Sequence, residues 1–228
     1  MAEAPESTAE AAATRGARRR TETRRRLLAA ARTVFAREGL EAATIAQITT
    51  EADAGFGTFY LHFSTKEEAY RAVITEGFGE LAAALERVRA EAVARSAPWS
   101  EMTRAAVRAY GEFAARNREL FTVMFAGGAA GLGLGRELGE RFAAGIAAQL
   151  VQSGGEPATT PEARPWPYPP MPVAIATVAA LNRSMLWWLG QEESRAQPDA
   201  SGFPPSLETL IETMSRYVIA ALWGRIPG

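Results

Sequence analysis

Gly55-Phe56-Gly57-Thr58-Phe59-Tyr60-Leu61-His62-Phe63, running straight into Ser64-Thr65-Lys66-Glu67-Glu68, decides the fold of this chain. The first nine residues suit a very short aromatic helix, and the next five look like the start of another. Nucleating a helix costs more than two turns of hydrogen bonds return, so something outside the helix must support it. Just upstream, Thr44-Ile45-Ala46-Gln47 is a capping box: threonine at the N-cap and glutamine three residues on. Ile45, Ile48 and Ala52 then share one face, which predicts a short helix ending near Asp53, with Asp53-Ala54-Gly55 as the turn. Two short helices about a tight turn read as a helix-turn-helix, with the aromatic one as its second, groove-entering helix.

The pattern extends both ways. Leu27, Leu28, Ala31, Val34 and Phe35 form a helical stripe that begins near Thr23, and Gly39 supplies a stop. Ser64 and Glu67 form a second capping box, opening a long helix through Tyr70, Val73, Leu81 and Val88 to about Arg95. Gly77 and Gly79 should weaken it. Pro98 closes that helix and Ser100 is placed to cap the next, on which Met102, Phe113, Leu120, Phe121 and Met124 recur at helical spacing. Residues 127–139 are glycine-rich and read as a loop, and a further helix carries Leu138, Phe142, Ile146 and Leu150. The proline-rich segment from Gly154 to Pro172 reads as a loop. Val173 to Gly190 is a long, nearly all-round apolar helix, residues 194–205 are a loop, and Ser206 caps a last helix. No alternating strand pattern occurs, so the expected fold is all-α. It has a disordered, basic-ended arm over residues 1–20, a helix-turn-helix head over 21–81 and a larger helical body over 82–228.

Composition narrows the chemistry. The chain has 228 residues, 47% apolar and 22% charged, enough for a sizeable core. No run of eighteen apolar residues predicts a membrane span, and the acidic, alanine-rich start does not resemble a signal peptide, so a cytoplasmic protein is expected. Without cysteine and with a single histidine, neither a thiolate nor a multi-histidine metal site can form; no cofactor or metal is expected. The net charge is −1, but Thr14 to Arg37 holds nine arginines against Glu22 alone, a net of +8, which leaves −9 for the rest. A basic head on an acidic body is the electrostatic footprint of a nucleic-acid binder.

Candidate contacts follow from the register. Gly57 lets backbone approach DNA, and Thr58 can bond a base edge or phosphate or touch a thymine methyl. Tyr60 and His62 carry donors that can hold phosphates, while Phe59 and Phe63 belong to the head's own core against Phe35, Ile45 and Ile48. Lys66, the chain's one lysine beside 24 arginines, lies in the first turn of a helix, where a cation opposes the helix dipole. Something negative should offset it, and a phosphate would.

The segment from Thr44 to Glu68, with the preceding Leu27-Leu28-x-Ala-Ala-x-x-Val-Phe-Ala-Arg-Glu-Gly39, resembles the DNA-binding domain of the tetracycline-repressor (TetR) family of bacterial regulators over residues 21–81. The resemblance implies phosphate contacts near Thr44, Tyr60, His62 and Lys66, and base reading over Gly55, Phe56, Gly57 and Thr58. Gly55 and Phe56 replace the family's common serine and polar or basic residue, which removes side-chain donors from the base-reading surface. Arg24 and Arg25 belong to an arginine cluster, from Arg15 to Arg26, longer than the family requires, which suits a basic arm in an adjacent minor groove.

The resemblance further implies a C-terminal body that binds a small ligand and dimerises through its last two helices. Tyr110, Phe113, Asn117, Phe121, Met124, Phe142, Met185 and Trp188 are the candidate ligand-binding residues, suited to a bulky hydrophobic compound such as a fatty acyl or aromatic molecule. Leu181, Leu207, Leu210, Met214 and Val218 are the candidate dimer contacts. Asn182 and Arg183 serve either register at the interface or a ligand. The expected function is a dimeric repressor of a palindromic double-stranded operator, released by a small hydrophobic effector; the alternative is a ligand-independent or architectural DNA binder. An enzyme is disfavoured: Gly133-x-Gly135-x-x-x-Gly139 follows no strand, so it fails as a dinucleotide loop, and no catalytic set is evident.

Overall fold

The computed structural model describes residues 6–125, 132–152, 169–191 and 203–223. Within them the chain forms helices α1 (Glu6–Ala42), α2 (Ile45–Glu51), α3 (Phe56–Tyr60), α4 (Lys66–Ala94), α5 (Trp99–Arg116), α6 (Arg118–Phe125), α7 (Leu132–Gln152), α8 (Pro170–Leu189) and α9 (Leu207–Trp223), and no strand among the described residues. The fold is all-α. It divides into two compact units, Met1–Ile74 and Thr75–Gly228, with the boundary inside α4.

In the first unit, the stripe on α1 is the core: Leu27, Ala31 and Val34 are wholly buried, together with Ile48, Phe59 and Ile74. Phe35 meets Tyr70 edge-on, centroids 5.0 Å apart. Gly39 turns the end of α1 with φ of 75°, a conformation that a Cβ would strain. α1 begins at Glu6, so most of the stretch expected as an arm over residues 1–20 is helical. Alanine is the best helix former, and lengthening an existing helix needs no new nucleus, so the Ala-rich stretch continues α1.

In the second unit α8 packs against α5, α6, α7 and α9. Its contact with α7 is a cluster of Ala143, Ala147, Ala174 and Val178, flanked by Phe142, Ile146 and Met171. α5 approaches α9 closely at Gly111, where an added Cβ would lie 2.8 Å from Ile211 Cγ1, and Arg108 holds Glu208 through two hydrogen bonds of 2.7 and 2.5 Å. Buried hydroxyls are satisfied locally: Thr177 and Ser215 donate to the carbonyls of Val173 and Ile211, four residues back.

Several boundaries differ from the sequence reading. Residues 132–139 are helical, in α7, and the rest of that expected loop lies outside the described residues. α5 starts at Trp99 behind an N-cap Pro98 with no side-chain cap, so Ser100 does not cap it. The second capping box is shifted by one: Thr65 Oγ1 accepts from Glu68 N at 3.1 Å, and Glu68 Oε2 accepts from Ser64 N at 2.6 Å. Ser206 does cap α9, accepting from Thr209 N at 3.1 Å. Gly77 and Gly79 do not interrupt α4.

The residues expected at a dimer contact lie mostly inside the single chain. Leu181, Leu210, Met214 and Val218 are buried inside the single chain and Leu207 is half-buried, so their side chains are already spent on the unit's own core. The apolar groups left outside on these helices are Ile175, 44% exposed, with Ala176 and Ala179 on α8, and Tyr217, 52% exposed, on α9. A helix apolar on every side gives no polar face by which sequence alone can orient it.

Candidate nucleic-acid interface

The head's chemistry is set by how α2, the turn and α3 are fixed. Thr44 Oγ1 accepts from Gln47 N at 3.2 Å while Gln47 Oε1 accepts from Thr44 N at 2.8 Å, the reciprocal capping box expected there. α2 ends in a turn with Asp53 at φ of 48°; Ala54 N bonds Thr49 O at 2.9 Å and Asp53 N bonds Thr50 O at 3.1 Å, a Schellman closure. Arg26 then reaches from α1 to the carbonyls of Ala52 and Asp53, the latter at 2.8 Å, and ties the turn to the core helix.

α3 is only five residues long, and its two faces differ sharply. Phe59 is wholly buried, and Phe63 just beyond it is buried as well. On the outside Phe56, Tyr60 and the following Leu61 are 54%, 49% and 69% exposed. Gly55 and Gly57 are exposed, and nothing lies within 4 Å of a Cβ built on Gly57. Thr44 is exposed and Thr58 half-buried. Of the residues expected to read bases, Gly55, Phe56 and Gly57 are thus exposed and Thr58 is half-buried, and Tyr60 is exposed on the same short helix.

The cationic residues are pinned around that surface. Arg24 lies over the Phe63 ring, 5.1 Å from its centroid, and Arg20 donates to Leu61 O at 3.3 Å, so both stand at the C-terminal end of α3. Arg18 and Arg19 are exposed one turn earlier on α1. Arg25 faces elsewhere and holds Glu22 in a bidentate pair at 3.0 and 2.6 Å. His62 is half-buried; burial first, then the charges of Arg20 and Arg24, push its pKa below the ordinary 6.5, which leaves the ring neutral at pH 7.

Lys66 has a partner that the sequence did not reveal. Its Nζ donates to the carbonyls of Glu41 at 3.1 Å and Ala43 at 2.9 Å, at the C-terminal end of α1. Those carbonyls are the negative end of a helix, so they offset the cation that α4's own dipole disfavours. An ammonium has three hydrogens, and these two bonds leave one for a phosphate. Arg20 and Arg26 were likewise missed as positioning residues. A hint existed for Arg26, which directly precedes the buried Leu27 at the edge of the core stripe.

In the second unit, six of the candidate ligand residues are buried: Tyr110, Phe113, Phe121, Met124, Met185 and Trp188. Tyr110 and Phe121 meet edge-on at 5.7 Å. The polar atoms of the set have internal partners. Tyr110 Oη donates to Asn182 Oδ1, Asn117 Nδ2 to Phe113 O at 3.0 Å, and Trp188 Nε1 to Pro205 O at 2.9 Å. Asn182 thus has a partner within the unit's interior, while Arg183 is exposed. Phe142 sits on the α7–α8 cluster described above. None of the described helices is long and apolar enough to cross a membrane.

Known proteins share both the head and the fold. Residues 27–73 match the model of bacterial regulatory proteins of the tetR family. The HTH-type transcriptional regulator YfiR of Bacillus subtilis is 41% identical over 54 residues, which is 24% of this chain and 26% of that protein; the match thus spans about a quarter of the relative's length. The fatty acid degradation regulator FadR of Bacillus halodurans has the same fold, with a TM-score of 0.68 over 86% of this chain and 93% of its own, at 16% identity. The transcriptional regulator FadR of Bacillus subtilis, solved with stearoyl-CoA, matches with a TM-score of 0.62 over 86% of this chain and 97% of its own, at 14% identity. At such identities these two likenesses establish the fold. The match to bacterial regulatory proteins of the tetR family thus falls on residues 27–73, the helix-turn-helix and the two helices that flank it.

Proposed function

We propose that this chain is a transcriptional repressor that binds a palindromic operator as a homodimer and leaves it when a small hydrophobic ligand binds the second unit. The observation that carries the DNA part is α3: a five-residue helix whose outer face is exposed, next to a turn that Arg26 locks and an end that Arg20 and Arg24 flank. Arginine supplies most of such an interface's affinity through phosphates, while α3 selects the sequence. Thr44, Tyr60, His62 and Lys66 are the proposed phosphate contacts and Gly55 to Thr58 the proposed base-facing surface.

For the dimer, the exposed apolar face of α8 and α9 around Ile175, Ala176, Ala179 and Tyr217 is the proposed contact, in place of the buried leucines. For the ligand, the apolar surroundings of Tyr110, Phe121 and Met185 suit a long acyl chain, and the stearoyl-CoA bound by the Bacillus subtilis regulator makes a long-chain acyl-CoA the first compound to test. The Tyr110–Asn182 pair is the proposed polar anchor. α4 crosses from one unit into the other, which makes it the route by which occupancy of the body reaches the head.

Footprinting on the DNA flanking the gene tests this reading. A protected palindrome is expected, its half-sites about 34 Å apart or a multiple of that. With roughly eight phosphate contacts, affinity should fall on the order of 10³–10⁵ between 50 and 200 mM salt. Adding palmitoyl- or stearoyl-CoA should release the DNA. Equal affinity for unrelated duplexes would refute the operator and support an architectural binder.

A further inference from the structure

We infer that α3 selects DNA by apolar contact with thymine methyl groups, made by Phe56, rather than by hydrogen bonds to base edges. This rests on α3 being the major-groove element. Phe56 is 54% exposed although Phe59, three residues on, is wholly buried, so its ring contributes nothing essential to the head's core. Tyr60, in ring contact with it, and Leu61 are exposed too, and a cluster of exposed apolar groups marks a contact surface. Its flanks Gly55 and Gly57 are exposed and carry no side chain, so no polar group stands between the ring and whatever approaches.

The donor inventory points the same way. α3 offers two side-chain hydroxyls, Thr58 and Tyr60, and a hydroxyl both donates and accepts, so it distinguishes bases poorly. The amide of Gln47 on α2 is engaged in the Thr44 cap, to whose backbone N its Oε1 is bonded at 2.8 Å. Neither a bidentate arginine nor an asparagine stands on α3 to read guanine or adenine. What α3 does offer is apolar surface, and the one apolar group that base edges expose in the major groove is the C5-methyl of thymine. The Phe56 ring meets the Tyr60 ring edge-on, centroids 5.5 Å apart at 66°, which fixes its orientation before DNA arrives. Phosphate-bound arginines then hold the head on the duplex while Phe56 tests for methyls.

The test uses the full-length protein and a random duplex library to select preferred sites, then a series of duplexes in which each thymine in turn becomes deoxyuridine, deleting only the methyl. Replacement at one or two positions per half-site should weaken binding about fourfold per methyl, the worth of one buried methyl group. Phe56→Ala should bind more weakly and lose this thymine-to-uracil difference, whereas Phe56→Leu should keep part of it. If a sequence is selected but no deoxyuridine matters, or if Phe56→Ala keeps the full difference, methyl reading is wrong while DNA binding stands. If no sequence is selected, the assignment of α3 to the groove falls, and methyl reading with it.

Discussion

Gly77 and Gly79 lie two residues apart on α4, yet replacing each with alanine should move stability in opposite directions. At Gly77 the new Cβ would stand 2.6 Å from Met124 Sδ and 2.7 Å from Leu120 Cδ1, where carbon contacts are comfortable at about 3.5–4.0 Å. Both neighbours must yield by roughly 1 Å, and both are buried, Met124 at 3% and Leu120 at 1% exposure, so neither can swing into solvent. Overpacking of this kind costs about 1–3 kcal/mol, and the flexible methionine favours the lower half of that range. Alanine returns about 1 kcal/mol of helix propensity at either site. Gly77→Ala should therefore be neutral to about 1 kcal/mol less stable. Gly79 is exposed, and a methyl group added there would have nothing within 4 Å, so Gly79→Ala keeps the whole gain of about 1 kcal/mol. Urea unfolding of both full-length variants measures this directly, and Gly77→Ala should cost less in a Met124→Ala background, where the added methyl has room, than in the parent. Equal midpoints for the two glycine variants would refute the reasoning. The sequence expectation that both glycines are weak points is thereby divided: a Cβ at Gly77 would press on Met124 and Leu120 of α6, and Gly79 is free for substitution.

Three further outcomes follow from the head and the proposed dimer face. Lys66→Met should lower stability by about 1 kcal/mol through loss of its hold on the end of α1, and should reduce the salt slope of DNA binding by about 0.9 if its third hydrogen meets a phosphate; an unchanged urea midpoint would exclude the first role and an unchanged slope the second. His62, with its folded pKa below 6.5, favours the neutral ring, so its contribution to stability is present above pH 6.5 and is lost as pH falls through 6.5 toward the lowered value. DNA binding should run the other way, tightening over the same window as a phosphate favours the imidazolium, and His62→Gln should flatten both profiles; a variant that titrates like the parent would show that another group is responsible. Ile175→Glu should give a folded monomer by sedimentation, whereas Leu181→Glu should unfold the second unit, because only the former side chain is exposed; a dimeric Ile175→Glu would move the interface elsewhere.

Most of the head could be read from the sequence because its signals are local. The capping box at Thr44, the turn at Asp53 and the burial of Phe59 each depend on residues within a few positions of one another, and the structure has all three. The body was less legible. On α8 the buried residues Ala174, Val178, Leu181, Met185 and Trp188 and the exposed Ile175, Ala176 and Ala179 are all apolar, so hydrophobicity could find the helix but not its orientation. Capping at α4 slipped by one residue because Ser64 and Thr65 are chemically equivalent caps and Glu67 and Glu68 equivalent partners.

Lys66 shows what kind of information is missing in such cases. From the sequence, a cation at the start of a helix demands a compensating negative group, and that demand was correct. Which group answers it depends on where the end of α1, more than twenty residues earlier, comes to lie, and only the packed unit supplies that. The same logic explains how the head divides its work. Its charges are placed by tertiary contacts: Arg24 on Phe63, Arg20 on Leu61 O, Arg26 on the turn and Lys66 on the end of α1. Each is held by the fold at one point, and in the proposed reading these charges orient the head on any duplex without favouring a sequence. Discrimination then falls, in the same reading, to the Gly55–Tyr60 surface around Phe56. Substitutions among the arginines should therefore weaken binding to all duplexes alike, and only changes on α3 should alter which duplex is preferred.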